Sequence, residues 1–219
     1  MVLNDMEVRV LGSLVEKEIT TPDYYPLTLI ALTNACNQSS NRDPVVALDE
    51  KTVVRALDSL REKKLALLFS GAESRVPRYA HRLYEEFGLS RPQIAALCVL
   101  LLRGSQTIGE IRGRTGRMHE FATLAEAEAA LEELVTKMPH PLAAKLPRHA
   151  GFKEPRYAHL LAGEVSSPPA ECAPRLEPAT LAVRLEDARL AKLEAETDSL
   201  RREVAELRQQ FADFRKQFE

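Results

Sequence analysis

Pro77-Arg78-Tyr79-Ala80-His81 recurs further along the chain as Pro155-Arg156-Tyr157-Ala158-His159. The same succession of helical and extended patterns precedes each copy, so the chain reads as one module used twice. The first copy opens with Asn4 and Glu7, spaced as a capping box, then Val8, Leu11 and Val15 at helical spacing. The second opens with Ser90, Pro92 and Gln93, followed by Ile94, Leu97, Cys98 and Leu101. A shorter helix follows in each, over Leu27 to Cys36 and over Thr107 to Arg114, the latter capped by Thr107 and Glu110.

Third helices come next. Asp49 caps a run with Val53, Val54, Leu57 and Leu60 on one face, and Thr123 with Glu126 caps another carrying Ala127, Leu131 and Leu134. The period then changes to extended. Leu65 to Phe69 and Val76 to Leu83 flank the turn Ser70-Gly71-Ala72-Glu73, and Leu142 to Leu146 and Arg156 to Leu161 flank a loop with Pro147 and Gly151. Three helices and a hairpin give the winged helix-turn-helix order. The expected fold is mainly α within the α+β class. Two tandem winged helix-turn-helix domains at 1–88 and 89–163 precede a Pro-rich linker at 164–180 and a coiled-coil helix at 181–219.

Several separated stretches also resemble a known family. Glu16-Lys17 with Thr20-Thr21-Pro22 and Tyr25-Pro26-Leu27, then Ala35-Cys36-Asn37-Gln38 with Ser40-Asn41-Arg42, are similar to its N-terminal signature. Leu101-Leu102-Arg103-Gly104 with Gln106-Thr107, Arg117-Met118, Glu120-Phe121 and Arg156-Tyr157 with His159 are similar to its second half. Over about residues 1–163 the chain thus resembles the YceH-like family of uncharacterised bacterial proteins with a tandem winged-helix fold. The resemblance implies that fold and no particular activity.

The tail has its own pattern. Pro168, Pro169, Pro174 and Pro178 deny residues 164–180 a regular helix. From Val183 the apolar residues fall into heptads, with Val183, Leu190, Thr197, Val204, Phe211 and Phe218 at position a and Leu193, Leu200, Leu207 and Phe214 at d. In a parallel dimer Arg189 faces Glu194, Glu196 faces Arg201 and Glu203 faces Arg208, each pair of opposite sign. A parallel homodimer is expected, with Thr197 setting the register. The alternative is an amphipathic helix packed on the body or on another protein.

Charge bounds the partners. The net charge is −2, with 45% apolar and 28% charged residues. Residues 1–163 carry 21 Lys and Arg against 20 Asp and Glu, and 164–219 carry 9 against 12. Any contact with double-stranded DNA must therefore come from local patches. Lys51, Thr52, Arg55 and Ser59 form the outward face of the first third-helix, diluted by Asp58 and Glu62. Arg75, Arg78 and Arg82 are expected on one face of the first hairpin, as a backbone clamp. Tyr79, His81, Tyr157 and His159 are expected inside the hairpins, with the histidines hydrogen-bonded. The second third-helix exposes Glu126, Glu128, Glu132 and Glu133, which repel phosphate, so the second domain is expected to meet a neighbour or a protein partner.

Arg112, Arg114 and Arg117 around Gly113 and Gly116 read as turn chemistry before phosphate binding, and Asn37 to Asp43 as a long capped loop before a binding surface. Cys36 and Cys98 lie in apolar helical patterns and read as buried small hydrophobes; with Cys172 they are odd in number and unpaired with histidines, against disulfides and zinc. The sequence contains no phosphate-binding glycine loop, G-x-S-x-G elbow or H-E-x-x-H. No catalytic residue, metal or cofactor is expected. Residues 1–10 lack a secretory apolar core and no apolar run approaches a membrane span, so a soluble cytoplasmic protein is expected. Two functions follow: a DNA-binding regulatory or nucleoid-associated factor, or a protein–protein adaptor that leaves DNA untouched.

Overall fold

The computed structural model describes residues 2–71, 74–147 and 154–163, with only the backbone of residues 70–71 and 74–75. The linker at 164–180, the heptads at 181–219 with all their dimerisation positions, and Cys172 lie outside the described residues. The described fold is mixed α and β, mostly helical, and none of its helices is long and apolar enough to cross a membrane.

Helix α1 spans Asp5–Thr20. Its capping box forms as the spacing demands: Asn4 Oδ1 accepts from the Glu7 amide at 2.9 Å, and Glu7 Oε2 accepts from the Asn4 amide at 2.8 Å. Helix α2 spans Leu29–Cys36, capped by Thr28, and α3 spans Glu50–Glu62, capped by Asp49 through the Thr52 amide. Leu27 and Thr28, expected as helix, instead form strand β1 (Leu27–Thr28). Their backbones pair with the hairpin strand β3 (Ser74–His81), a distant partner that local periodicity does not register.

Helix α3 ends on Lys64, whose φ of 61° places it in the left-handed region. The Leu65 amide then reaches the Leu60 carbonyl at 2.8 Å and the Lys64 amide the Arg61 carbonyl at 3.0 Å, which satisfies two end carbonyls. Strand β2 (Ala66–Gly71) follows, and the sheet order is β1-β3-β2, antiparallel throughout. The third strand stops at His81. Leu83, expected at its end, instead opens helix α4 (Leu83–Phe87), which closes on Gly88 at φ 55°.

The second repeat runs α5 (Arg91–Arg103), α6 (Ile108–Thr115), α7 (Leu124–Val135), β4 (Ala143–Lys145) and β5 (Tyr157–His159). The Thr107–Glu110 capping box and the Thr123 cap both form. Both strands are shorter than the sequence pattern. Gln106 bridges Tyr157 immediately before α6, just as Leu27 pairs with Tyr79 immediately before α2. The repeat thus extends to the strand that precedes each second helix.

The two repeats share one continuous apolar cluster, to which α1, α3 and α5 contribute their buried faces. Residues Glu7 to Glu16 of α1 and Gln93 to Leu102 of α5 are buried on every side, because each helix packs on its own repeat and on the other helix. Gly12 makes the approach close. A Cβ there would lie 2.9 Å from Leu102 Cδ2 and 3.1 Å from Leu101 Cβ. Cys98 Sγ donates to the Gly12 carbonyl at 3.4 Å, and Cys36 is buried as well; burial pushes both thiols up. The chain start joins the end of the second repeat through the Leu3 amide and the Leu161 carbonyl, 2.7 Å apart.

Candidate nucleic-acid interface

Helix α3 buries Val53, Ala56, Leu57 and Leu60. Val54, expected in the core, is half-buried, and Ala56 takes its place. Lys51 and Arg55 are exposed, one helical turn apart, and make no ion pair with a described residue. Thr52 and Ser59 are half-buried. The Thr52 hydroxyl and amide engage Asp49, the first of these contributing most to holding that carboxyl below its usual range. Ser59 bonds Glu7, whose carboxyl burial would push up; Lys63 Nζ at 2.7 Å and Ser59 outweigh that and hold it low. Two of the four outward residues thus have partners inside the fold, and the basic pair stands open. Elsewhere on α3, Arg61 is held by Asp58 at 3.1 Å.

Not all three hairpin arginines lie on the strand. Arg82 has left the strand as the residue before α4. The Arg75 side chain lies outside the described residues. Arg78 is exposed, and its Nη1 donates to the Pro26 carbonyl at 2.9 Å, which anchors β3 to the loop ahead of β1. Leu67, Phe69 and Val76 are exposed on this hairpin as well.

The aromatic and histidine pairs lie inward. Tyr79 packs against the core, and His81 Nε2 lies 2.7 Å from Glu18 Oε2 while its Nδ1 accepts from the Leu83 amide at 3.2 Å. Both ring nitrogens are engaged within the fold. Tyr157 is fully buried and its hydroxyl donates to Glu132 Oε1 at 3.2 Å. His159 departs from expectation: its Nδ1 is buried with no hydrogen-bond partner, and burial pushes its pKa down to about 4, opposed by Asp5.

In the polar stretch after α2, Asn37 and Arg42 hold the fold, whereas Ser39, Ser40, Asn41 and Asp43 are exposed. Asn37 holds both backbone groups of Leu48, donating to its carbonyl at 2.8 Å and accepting from its amide at 2.7 Å. Arg42 enters the core, donating to Glu16 and to the Ala35 carbonyl. The acidic α7 is partly countered: Lys145 lies 3.5 Å from Glu132 and 3.7 Å from Glu128, and Gln93 donates to Glu133. Arg112 donates to the Phe121 and Ala122 carbonyls at 3.2 and 3.1 Å, a turn-building role.

Residues 3–152 match the family described as "Protein of unknown function, DUF480". The chain belongs to the DUF480 family. Among its relatives, the UPF0502 protein of Opitutus terrae is 58% identical over 185 residues, covering 84% of this chain and 80% of the relative. That of Geotalea uraniireducens is 59% identical over 196 residues, 90% of this chain and 89% of the relative. That of Solibacter usitatus is 49% identical over 201 residues, 91% and 93%. The likeness to these relatives extends beyond residue 163.

Sequence reasoning singled out the basic residues of α3 and, in a turn, Arg114 and Arg117, but it did not bring Arg103 to them. Arg103 at the end of α5, Arg114 near the end of α6 and Arg117 in the next turn line one cleft, although α5 and α6 are separated by a loop. Only the packing of α1 against α5 brings Glu16, Thr20 and Asn41 of the first repeat to its other side.

Proposed function

We propose that this chain is a DNA-binding protein, regulatory or nucleoid-associated, built from two winged-helix modules and acting without catalysis in the cytoplasm. Helix α3 is the reading helix and the β2–β3 hairpin the wing. The observation that carries this reading is the exposed Lys51/Arg55 pair, free of ion pairs among the described residues, on the one third-helix that is not dominated by carboxylates. Helix α7 serves no such role, since its surface glutamates would repel phosphate. The heptads from Val183 to Phe214 join two chains in parallel, so that two α3 helices address one duplex.

The test is binding of the full chain to mixed-sequence duplex DNA at low and moderate salt, beside Lys51→Ala/Arg55→Ala. Both side chains are exposed, so the variant keeps its fold. Wild-type binding that weakens with salt, with a log–log slope about two smaller in the variant, supports the reading. Absence of binding even at low salt discards it.

A second reading rests on Leu67, Phe69 and Val76, exposed apolar residues on the hairpin that a phosphate clamp does not need. They suit a protein–protein adaptor that uses the modules and the tail as docking surfaces. This reading takes the lead when DNA binding is absent.

A further inference from the structure

Strand β2 lies at an open edge of the first sheet: the strand order is β1-β3-β2, and among the described residues β2 pairs with β3 alone. The phase of its backbone follows from two hydrogen bonds. The Arg82 amide donates to the Leu65 carbonyl at 2.9 Å, so Leu65 and the alternate residues Leu67 and Phe69 turn their backbone groups toward β3. The His81 amide, opposite Ala66, donates to the Tyr25 hydroxyl at 2.7 Å on the far side of β3, as the same alternation requires. Leu68, opposite Tyr79, therefore points its N–H and C=O out of the edge, and neither group has a hydrogen-bond partner among the described residues.

The side chains beside this edge are apolar. Leu67 and Phe69 flank Leu68 on one face of the sheet, and they are 38% and 49% exposed. From Leu65 to Phe69 the chain carries no charged residue and no proline, the devices that commonly keep an edge from pairing. The register with β3 shifts only beyond Phe69, so the three residues Leu67, Leu68 and Phe69 keep regular strand geometry.

We propose that the β2 edge pairs antiparallel with the β2 edge of a second copy of this chain, on a two-fold axis through Leu68. The triplet complements itself about that axis. Leu68 meets the partner's Leu68, and the two exchange both outward backbone hydrogen bonds. Leu67 then lies directly opposite the partner's Phe69, and Phe69 opposite the partner's Leu67, so each exposed apolar side chain covers another. No charge faces a like charge along the seam, and a contact of this symmetry closes at two copies. A second copy thereby takes the place of an unrelated protein on Leu67 and Phe69. A contact three residues long is too small to hold two chains together at nanomolar concentration. The pairing uses neither Lys51 nor Arg55 and stands apart from the DNA reading.

The test is amide hydrogen exchange of the full chain, read residue by residue by NMR at submillimolar concentration. The wild type is compared with Leu67→Lys/Phe69→Lys and Leu67→Lys/Phe69→Glu. Both positions are exposed, so the variants keep the fold, and the buried Leu97 of α5 reports on it. Across the axis the first variant sets like charges opposite each other, and the second sets opposite charges. With rates corrected for neighbouring side chains, the Leu68 amide is expected to exchange about tenfold or more slowly in the wild type than in the first variant. Slow exchange is expected to return in the second. Equal exchange in all three chains overturns the proposal and leaves the edge to an extended segment of another protein. Slow exchange that is lost in both variants overturns it too, because the two-fold register requires the rescue. Chains joined by the heptads alone leave the Leu68 amide equally fast in all three, so this test and the DNA test fail separately.

Discussion

Arg42 Nη2 lies 2.6 Å from Glu16 Oε2, with the arginine side chain wholly removed from solvent and the glutamate nearly so. The same guanidinium donates to the Ala35 and Asn41 carbonyls, so one buried side chain ties the loop after α2 to α1. Removing one partner leaves the other charged and buried. Arg42→Met is expected to lower unfolding stability by about 3–5 kcal/mol. Urea unfolding of the full chain checks this, and a loss under about 1 kcal/mol would show that the pair does not hold the loop.

Gly12 is expected to resist enlargement. A β-branched residue there would press on Leu102 and Leu101 and would also be restricted within the helix. Gly12→Val should cost about 2–4 kcal/mol, read as a lower thermal midpoint. An unchanged midpoint would mean that α1 and α5 can separate freely.

Lys64 offers the opposite sign. It is exposed and adopts a left-handed conformation that glycine enters without penalty. Lys64→Gly is expected to stabilise the chain by about 0.5–1 kcal/mol despite the larger unfolded-state entropy of glycine. A loss of stability would show that the lysine stem contributes more than the backbone strain costs.

His159 sets a pH window. The folded state holds it neutral down to about pH 4, whereas the unfolded chain protonates near 6.5. A base with a depressed folded pKa contributes stability that is complete above pH 6.5 and is lost as pH falls toward 4. The loss is about 3 kcal/mol. Urea midpoints measured from pH 7.5 to 4.5 should fall less steeply in His159→Leu than in the wild type; parallel curves would exclude the histidine as the source.

Local rules made much of the fold legible. The caps at Asn4, Asp49, Thr107 and Thr123 sit where short polar side chains precede apolar periodicity, and each meets the amide three residues on. The Lys51/Arg55 face was legible for the same reason, since helical spacing fixes which residues share a side. Less legible were Thr52 and Ser59, whose spacing marks them as outward but whose hydroxyls engage Asp49 and Glu7. Arg82 was read as part of the hairpin face, whereas the strand stops at His81 and Arg82 precedes α4.

The sequence by itself determined the repeat, the helix starts and the candidate face of α3, because these depend on side chains within a turn or two of one another. Only the tertiary structure decided that α1 and α5 are buried on all sides, that Leu27 and Thr28 form a strand, and that Arg103, Arg114 and Arg117 meet across from Glu16. Each of these depends on partners far apart in the chain. Periodicity within an element reports which side is apolar, but it carries no record of what will cover the other side.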